Sequence, residues 1–534
     1  MKDKKLTGSF YTPKIIADFL VGCISLKLKN FNKISILEPS AGNGVFIDAI
    51  YRNIELQQKI KSIVAVEIDK TELDKISYNN FNKTFKGIHA DFLDFQKIKN
   101  KKYTVVIGNP PYIKKKLLNE NQVTICKEIH KKFNLSKTQP NNIWTAFLVS
   151  CIELTAKNGI LALVLPSELL QVKFAAELRE LILMKFERVE IFTFNELLFK
   201  DCKGQDTLLL IGEKKSNQKG IYYSCINKLS DLKESEYTLN QNVTIRESKW
   251  THYHLETEEI ELLEKLKQKI QKTNNYCNSK AGIVTAANDY FIVNTGIVNE
   301  FSLQKFVKPI IQKGVLVNGS VTFTKEEFQM LVEKSVPTYL LDLNQNTSLL
   351  DNTNLMNYLQ IGQEREINKR YKTLMRKKWY EVPNIGIAPD AFFFKRCNEY
   401  PKIIKNDAKV LATDSAYIIT MKDDFKIENL IYSFYNSLTL SFAELQGRYY
   451  GGGVLELTPN EFKNLPIPYM SLRNGEFLQF TEDFKNKNSI KDILRKNDAL
   501  ILKSIDNAID DYTINKIAKI REKLFNRRIK SNSC

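Results

Sequence analysis

Between residues 34 and 165 the chain repeats one unit, a short run of apolar and β-branched residues followed by a turn and a helical pattern. Ile63 to Val66, Val105 to Ile107 and 159–165 are each apolar without alternation, as strands covered on both faces are, and Ile34 to Leu37 is interrupted only by Ser35. Such an order predicts a doubly wound, mostly parallel sheet with helices on both faces, in which ligands collect beyond the carboxyl ends of the strands.

Each strand end carries residues suited to a ligand. After the first comes Glu38-Pro-Ser-Ala-Gly42-Asn-Gly44, whose glycines let backbone turn sharply and approach a bound molecule. The third glycine of the dinucleotide fingerprint is missing, which disfavours a pyrophosphate. The second strand ends in Glu67, a carboxylate able to accept from both ribose hydroxyls of a nucleoside, a nicotinamide cofactor included, and Ile68 follows as an apolar wall for a base. The third segment closes on Asp91, an acceptor for an adenine amino group, and Phe92, a ring to flank it or a core residue.

The fourth strand delivers Asn109-Pro110-Pro111-Tyr112. Two successive prolines keep a helix from starting there and leave the carbonyls of Asn109 and Pro110 free to accept hydrogen bonds. With the Asn109 side chain and the flat ring of Tyr112, they suit a planar amino group held by both hydrogens. Upstream, Tyr11-Thr12-Pro13 reads as a helix entrance, with Thr12 as N-cap and Pro13 at the first helical position.

In this order the motifs resemble the gamma class of N6-adenine-specific DNA methyltransferases of bacterial restriction-modification systems. In that class the N-terminal cofactor motif comes first and the target-recognition domain last. The resemblance implies a Rossmann-like catalytic domain binding S-adenosylmethionine. Tyr11, Thr12 and Gly42 would line its methionine end, Glu67 its ribose, and Asp91 and Phe92 its adenine, with Glu38, Gly44 and Ile68 also among the cofactor-binding residues. It further implies that Asn109 and Pro110 accept from the target amino group and that Tyr112 stacks on the flipped base. The family's later aromatic is assigned to Phe199, with Phe192 and Phe194 as competitors.

The same tetrapeptide suits a protein glutamine or an rRNA base, and a non-catalytic DNA-binding subunit is a reading from another class. The formal charge of +18 and pI near 9.2 favour a polyanion. Double-stranded DNA is therefore the expected partner, with a cognate restriction endonuclease in the same system and a monomer or weak dimer as the working form. The 8 cysteines are scattered and the 4 histidines follow no zinc spacing, so no metal is expected. With no apolar leader and no apolar run of membrane-spanning length, the cytoplasm is the expected location.

The chain divides by composition into 1–230, the catalytic domain; 255–470, an α+β target-recognition domain; and 475–534, a helical segment. Within the second, 282–293 is strand-like with a polar turn. Residues 361–380 hold seven Arg or Lys against two Glu, read either as a phosphate-binding stretch with interleaved aromatics or as a solvated basic helix. The glycine-rich 446–453 is either a close approach to a groove or a hairpin tip.

Overall fold

The first strand, Ile34–Glu38 (β1), lies third from one edge of a nine-stranded sheet. In the computed structural model, residues 11–76, 84–94, 101–136, 140–195, 206–234, 237–242, 249–317, 319–344, 352–450, 453–473 and 475–529 are described. With Ile60–Glu67 (β2), Phe85–His89 (β3), Tyr103–Gly108 (β4), Thr155–Pro166 (β5), Arg188–Phe194 (β6), Thr207–Glu213 (β7), Gly220–Ile226 (β8) and Asn240–Asn242 (β9), the order is β3-β2-β1-β4-β5-β7-β6-β8-β9. The pairs β2/β3, β1/β2, β1/β4, β4/β5 and β6/β8 are parallel, while β7 runs opposite to both its neighbours. Successive strands step outward from β1 to β3, then return to the far side of β1 for β4. That reversal opens a crevice between β1 and β4 at their carboxyl ends.

Period-two alternation sorts each strand between two cores. Val105 and Ile107 face a cluster with Ile16, Leu20 and Ile24 of Lys14–Lys27 (α1) and Phe46, Ile47 and Ile50 of Val45–Arg52 (α2). Val106, and Tyr103 across the register shift that precedes Val105, face the opposite cluster, with Ile125 and Ile129 of Glu120–Lys132 (α3), Trp144 and Leu148 of Trp144–Leu154 (α4) and Leu178 of Ala176–Lys185 (α5). Burying each large aliphatic contributes about 1.5–3 kcal/mol, so both faces hold the strand ends in place.

The described residues fall into two compact units, Met1–Ile260 with two short later pieces, and Glu261–Tyr449 with Val454–Arg528. The first therefore runs past the boundary expected near residue 230. Past that boundary Asn240–Asn242 supplies β9, which pairs antiparallel with β8 as the last strand of the sheet. The second unit holds a five-stranded sheet in the order Cys277–Ala281, Ala416–Met421, Ala391–Phe394, Lys402–Asn406, Thr322–Phe323, with smaller four- and three-stranded sheets. Of the stretch 282–293, only Ile292–Val293 is a strand, because Asn288–Phe291 winds into a helical turn. The C-terminal helices are not a segment apart. Asp511–Arg528 (α6) ends with the Arg528 guanidinium on the Glu444 carboxylate at 2.9–3.0 Å, both groups buried within the second unit.

No helix among the described residues is long and apolar enough to cross a membrane.

Candidate active site

Strand register brings the motif residues level. Leu37 pairs with Val106, Glu38 with Ala65, Glu67 with His89 and Gly108 with Leu163, so β1 to β5 deliver their functional ends at one edge of the sheet.

The glycine loop is closed by its own backbone and by Glu67. Ala41 N–H donates to the Val66 carbonyl at 3.0 Å and Gly44 N–H to the Ala41 carbonyl at 2.9 Å. Gly42 and Gly44 take φ of +52° and +83°, conformations in which an L side chain is strained. A Cβ on Gly44 would also lie 2.9 Å from Ile76 Cγ1. Glu67 Oε2 accepts from Gly42 N–H at 2.7 Å and Oε1 from Asp69 N–H at 2.9 Å. The carboxylate is thus fixed in orientation by one bond on each oxygen. Each oxygen keeps a second lone-pair direction for a ligand hydroxyl.

The Tyr11 ring packs over this loop, 3.6 Å from where a Gly42 Cβ would stand. Partial burial, a hydrogen bond to Glu72 and the charges of Glu72, Glu67 and Asp69 push its phenol up to about 12, so it stays a neutral donor at physiological pH. Thr12 does not cap α1; Pro13 occupies that position, and its carbonyl accepts from Ile16 and Ala17. The Thr12 hydroxyl accepts instead from Asn109 Nδ2 at 3.2 Å.

A second bond ties Asn109 to the glycine loop, for Ser40 Oγ donates to its backbone carbonyl at 2.9 Å. The carbonyl expected to be free is therefore engaged, since the β1 turn swings a hydroxyl onto it. Pro39 closes against the same point, within 3.0 Å of where a Gly108 Cβ would stand. Pro110 is buried and Asn109 half-buried. The Tyr112 ring is buried too, its hydroxyl donating to the Val164 carbonyl of β5 at 3.1 Å.

Glu38 is completely buried and neither carboxyl oxygen has a hydrogen-bond partner among the described residues. Burial, then the charges of Glu67 and Asp48, hold its carboxyl well above the usual carboxylate range. A buried acid without a partner at the β1 end is costly on its own. It fits a site completed by a polar or cationic ligand group.

Asp91 accepts from Leu93 N–H at 3.0 Å and from Gln122 Nε2 at 3.3 Å. Phe92 is a core residue, 2 % exposed with its ring 5.0 Å from that of Phe147. The apolar wall beside Glu67 falls to Ile68, which is 59 % exposed. Phe192 and Phe194 are both buried in the α1/α2 core, and Phe199 lies outside the described residues. The sequence reading missed Ser40, Pro39, Gln122 and Val164. Of these Pro39 and Ser40 carried a signal, their place between Glu38 and Gly42.

The contacts Tyr11 to Gly42, Gly42 to Glu67, Ser40 to Asn109 and Asn109 to Thr12 join four separate chain segments into one constellation. Its donors and acceptors suit a nucleoside-bearing cofactor without phosphates, as S-adenosylmethionine is.

Comparison with known proteins agrees. Residues 24–199 match the family model described as Eco57I restriction-modification methylase, and 247–502 match that of the Type II methyltransferase M.Eco57I C-terminal domain. The Type II methyltransferase M.AccI of Acinetobacter calcoaceticus is 26% identical over 544 residues, covering 97% of this chain and 94% of that one. M.HincII of Haemophilus influenzae is 30% identical over 220 residues, covering 38% and 39% respectively. Among solved structures, the Type IIL restriction-modification enzyme MmeI in complex with DNA aligns with a TM-score of 0.63 at 13% identity, over 98% of this chain and 79% of that one. The DrdV–DNA complex aligns with a TM-score of 0.52, also at 13% identity, over 90% of this chain and 57% of that one. With the motif order, the sheet and both family matches in agreement, the chain belongs to the Eco57I-like family of restriction-modification methylases.

Proposed function

We propose that the chain is a site-specific DNA methyltransferase that methylates the N6 amino group of a flipped adenine in double-stranded DNA, as the modification enzyme of a restriction-modification system. The observation that carries this reading is the double anchoring of Asn109, by Ser40 on its carbonyl and Thr12 on its amide nitrogen. Together they orient the one amide side chain of the tetrapeptide, whose oxygen can accept a hydrogen bond from a planar amino group.

When bound, S-adenosylmethionine supplies a methyl group on a sulfonium, ready for attack. Tyr11, Thr12, Glu38, Gly42 and Gly44 hold its methionine end, Glu67 its ribose hydroxyls, Asp91 its adenine amino group and Ile68 one face of the ring. The adenine amino lone pair is delocalised, and acceptance of both its hydrogens by Asn109 Oδ1 and the Pro110 carbonyl draws the nitrogen toward tetrahedral geometry. Alignment then supplies much of the acceleration. Extruding the base from the duplex costs a few kcal/mol. Tyr112, fixed by its bond to Val164, offsets part of that by stacking.

We assign target recognition to the second unit. The partners that follow from this reading are duplex DNA and a cognate restriction endonuclease.

Asn109→Ala is the test. Methyl transfer to duplex DNA should vanish while cofactor affinity, measured by calorimetry, stays within about threefold of the parent, a change of under 1 kcal/mol. Sustained turnover by this variant would refute the acceptor role.

A further inference from the structure

The basic stretch 361–380 resolves into two parts with different work. Arg376 turns inward; its guanidinium donates to the carbonyls of Thr285 at 2.7 Å and Trp379 at 3.2 Å, and lies 5.3 Å from the Phe291 ring centre. It staples the segment to the aromatic core of the second unit. Thr373, wholly buried, donates to the carbonyls of Ile367 and Arg370 and fixes the helical turn Tyr371–Leu374 from within.

The outward side of that turn is apolar. Tyr371, Leu374 and Met375 stand at i, i+3 and i+4, hence on one face, and are 79 %, 64 % and 75 % exposed. Single exposed hydrophobics are ordinary; three on one rigid turn are not. Around them, between Glu366 and Glu381, six cations stand against two acids. Lys369 and Lys378 pair with those acids and Arg370 with Asp289, whereas Lys372 and Lys377 form no ion pair among the described residues.

We propose that the Tyr371–Met375 face is a contact surface for duplex DNA, its apolar side chains seated between the phosphate rows and Lys372 and Lys377 on the phosphates. The inference rests on the DNA-methylating reading and adds to it the element that makes the contact. Charge complementarity selects the partner, because a duplex offers sugar and base surfaces walled by phosphates, which matches an apolar ridge edged by unpaired cations. The staple and the buried threonine present the ridge preformed, so little ordering cost is added on binding.

The test uses the full chain and fluorescently labelled duplex DNA that the parent protein methylates, with affinity followed by anisotropy across a salt series. Tyr371→Ser/Leu374→Ser/Met375→Ser should weaken binding by about tenfold or more with an unchanged salt slope, since it removes apolar contact alone. Lys372→Ala/Lys377→Ala should lower the slope of log K against log salt by roughly 2, at about 0.9 per phosphate contact. Cofactor affinity and melting temperature should match the parent in both. If the parent methylates the DNA and the triple-serine variant binds it equally well, the surface assignment falls and the enzymatic reading stands. If the parent neither binds nor methylates duplex DNA, both fall. Sedimentation with anionic phospholipid vesicles that requires Tyr371, Leu374 and Met375, with DNA binding unaltered, would also overturn the proposal.

Discussion

Thr12→Val tests how the acceptor loop is aimed. The substitution keeps side-chain volume and removes one atom's function, the hydroxyl that accepts Asn109 Nδ2 at 3.2 Å. Leaving an amide N–H without its partner costs about 1–3 kcal/mol when the group is sealed from water. Asn109 is only half-buried, so water recovers part of that, which places the cost near 1–1.5 kcal/mol. At about 1.4 kcal/mol per decade the correctly oriented amide, and with it the rate of the chemical step, should fall about 5- to 12-fold. Single-turnover transfer of a tritiated methyl group to duplex DNA at saturating cofactor reads that step directly. Thr12→Ser retains the acceptor and should stay within about twofold of the parent, a difference of under 0.5 kcal/mol. A valine variant with the parental single-turnover rate would refute the reasoning, as would a change confined to cofactor affinity.

Other consequences can be checked in turn. Tyr112→Phe removes a buried hydroxyl bond to Val164 and should cost about 0.5–1.5 kcal/mol in urea unfolding while retaining methyl transfer; Tyr112→Ala should impair base extrusion, read by 2-aminopurine fluorescence at the target. Gly44→Ala puts a side chain at φ +83° and 2.9 Å from Ile76 Cγ1, and should destabilise the first unit by about 1–3 kcal/mol; an unmoved urea midpoint would contradict the fit. Glu38 has a raised folded-state pKa, so the folded chain keeps a proton that the unfolded chain loses near the ordinary value of 4.5. Its contribution is present below that pH and declines as pH rises toward the folded value. Glu38→Gln should therefore gain stability relative to the parent as pH rises above the ordinary carboxylate range, and a pH-independent difference in thermal unfolding would rule this out.

The catalytic fold was legible because its signals are local. An unbroken β-branched run such as Val105 to Ile107, ended by Gly108, suits a strand covered on both sides, and Gly42 and Gly44 mark a sharp turn that glycine makes without strain. The positions of Glu67, Asp91 and Asn109 followed from the rule that strand ends share one edge. What stayed hidden depends on partners far away in sequence. Thr12 looked like a helix cap because that is the local use of a threonine before proline, yet its hydroxyl serves Asn109, 97 residues on. Ser40 lies 69 residues from the carbonyl it engages. Phe92 follows an acid at a strand end and reads as a ligand ring until α4 places Phe147 against it. In the second unit, charge counting could not separate Arg376, turned inward onto backbone carbonyls, from Lys372 and Lys377 on the surface. The C-terminal helices gave no sign in composition that Arg528 would bury its charge on Glu444.

The most direct measurement is nucleoside mass spectrometry of DNA from cells expressing the chain, with Asn109→Ala as the control. N6-methyladenine at one recurring sequence, absent with the alanine variant, is the expected result. Methyl groups found only on cytosine, or DNA left unmodified by an expressed and folded parent, would contradict an amino-accepting pocket at the end of β4.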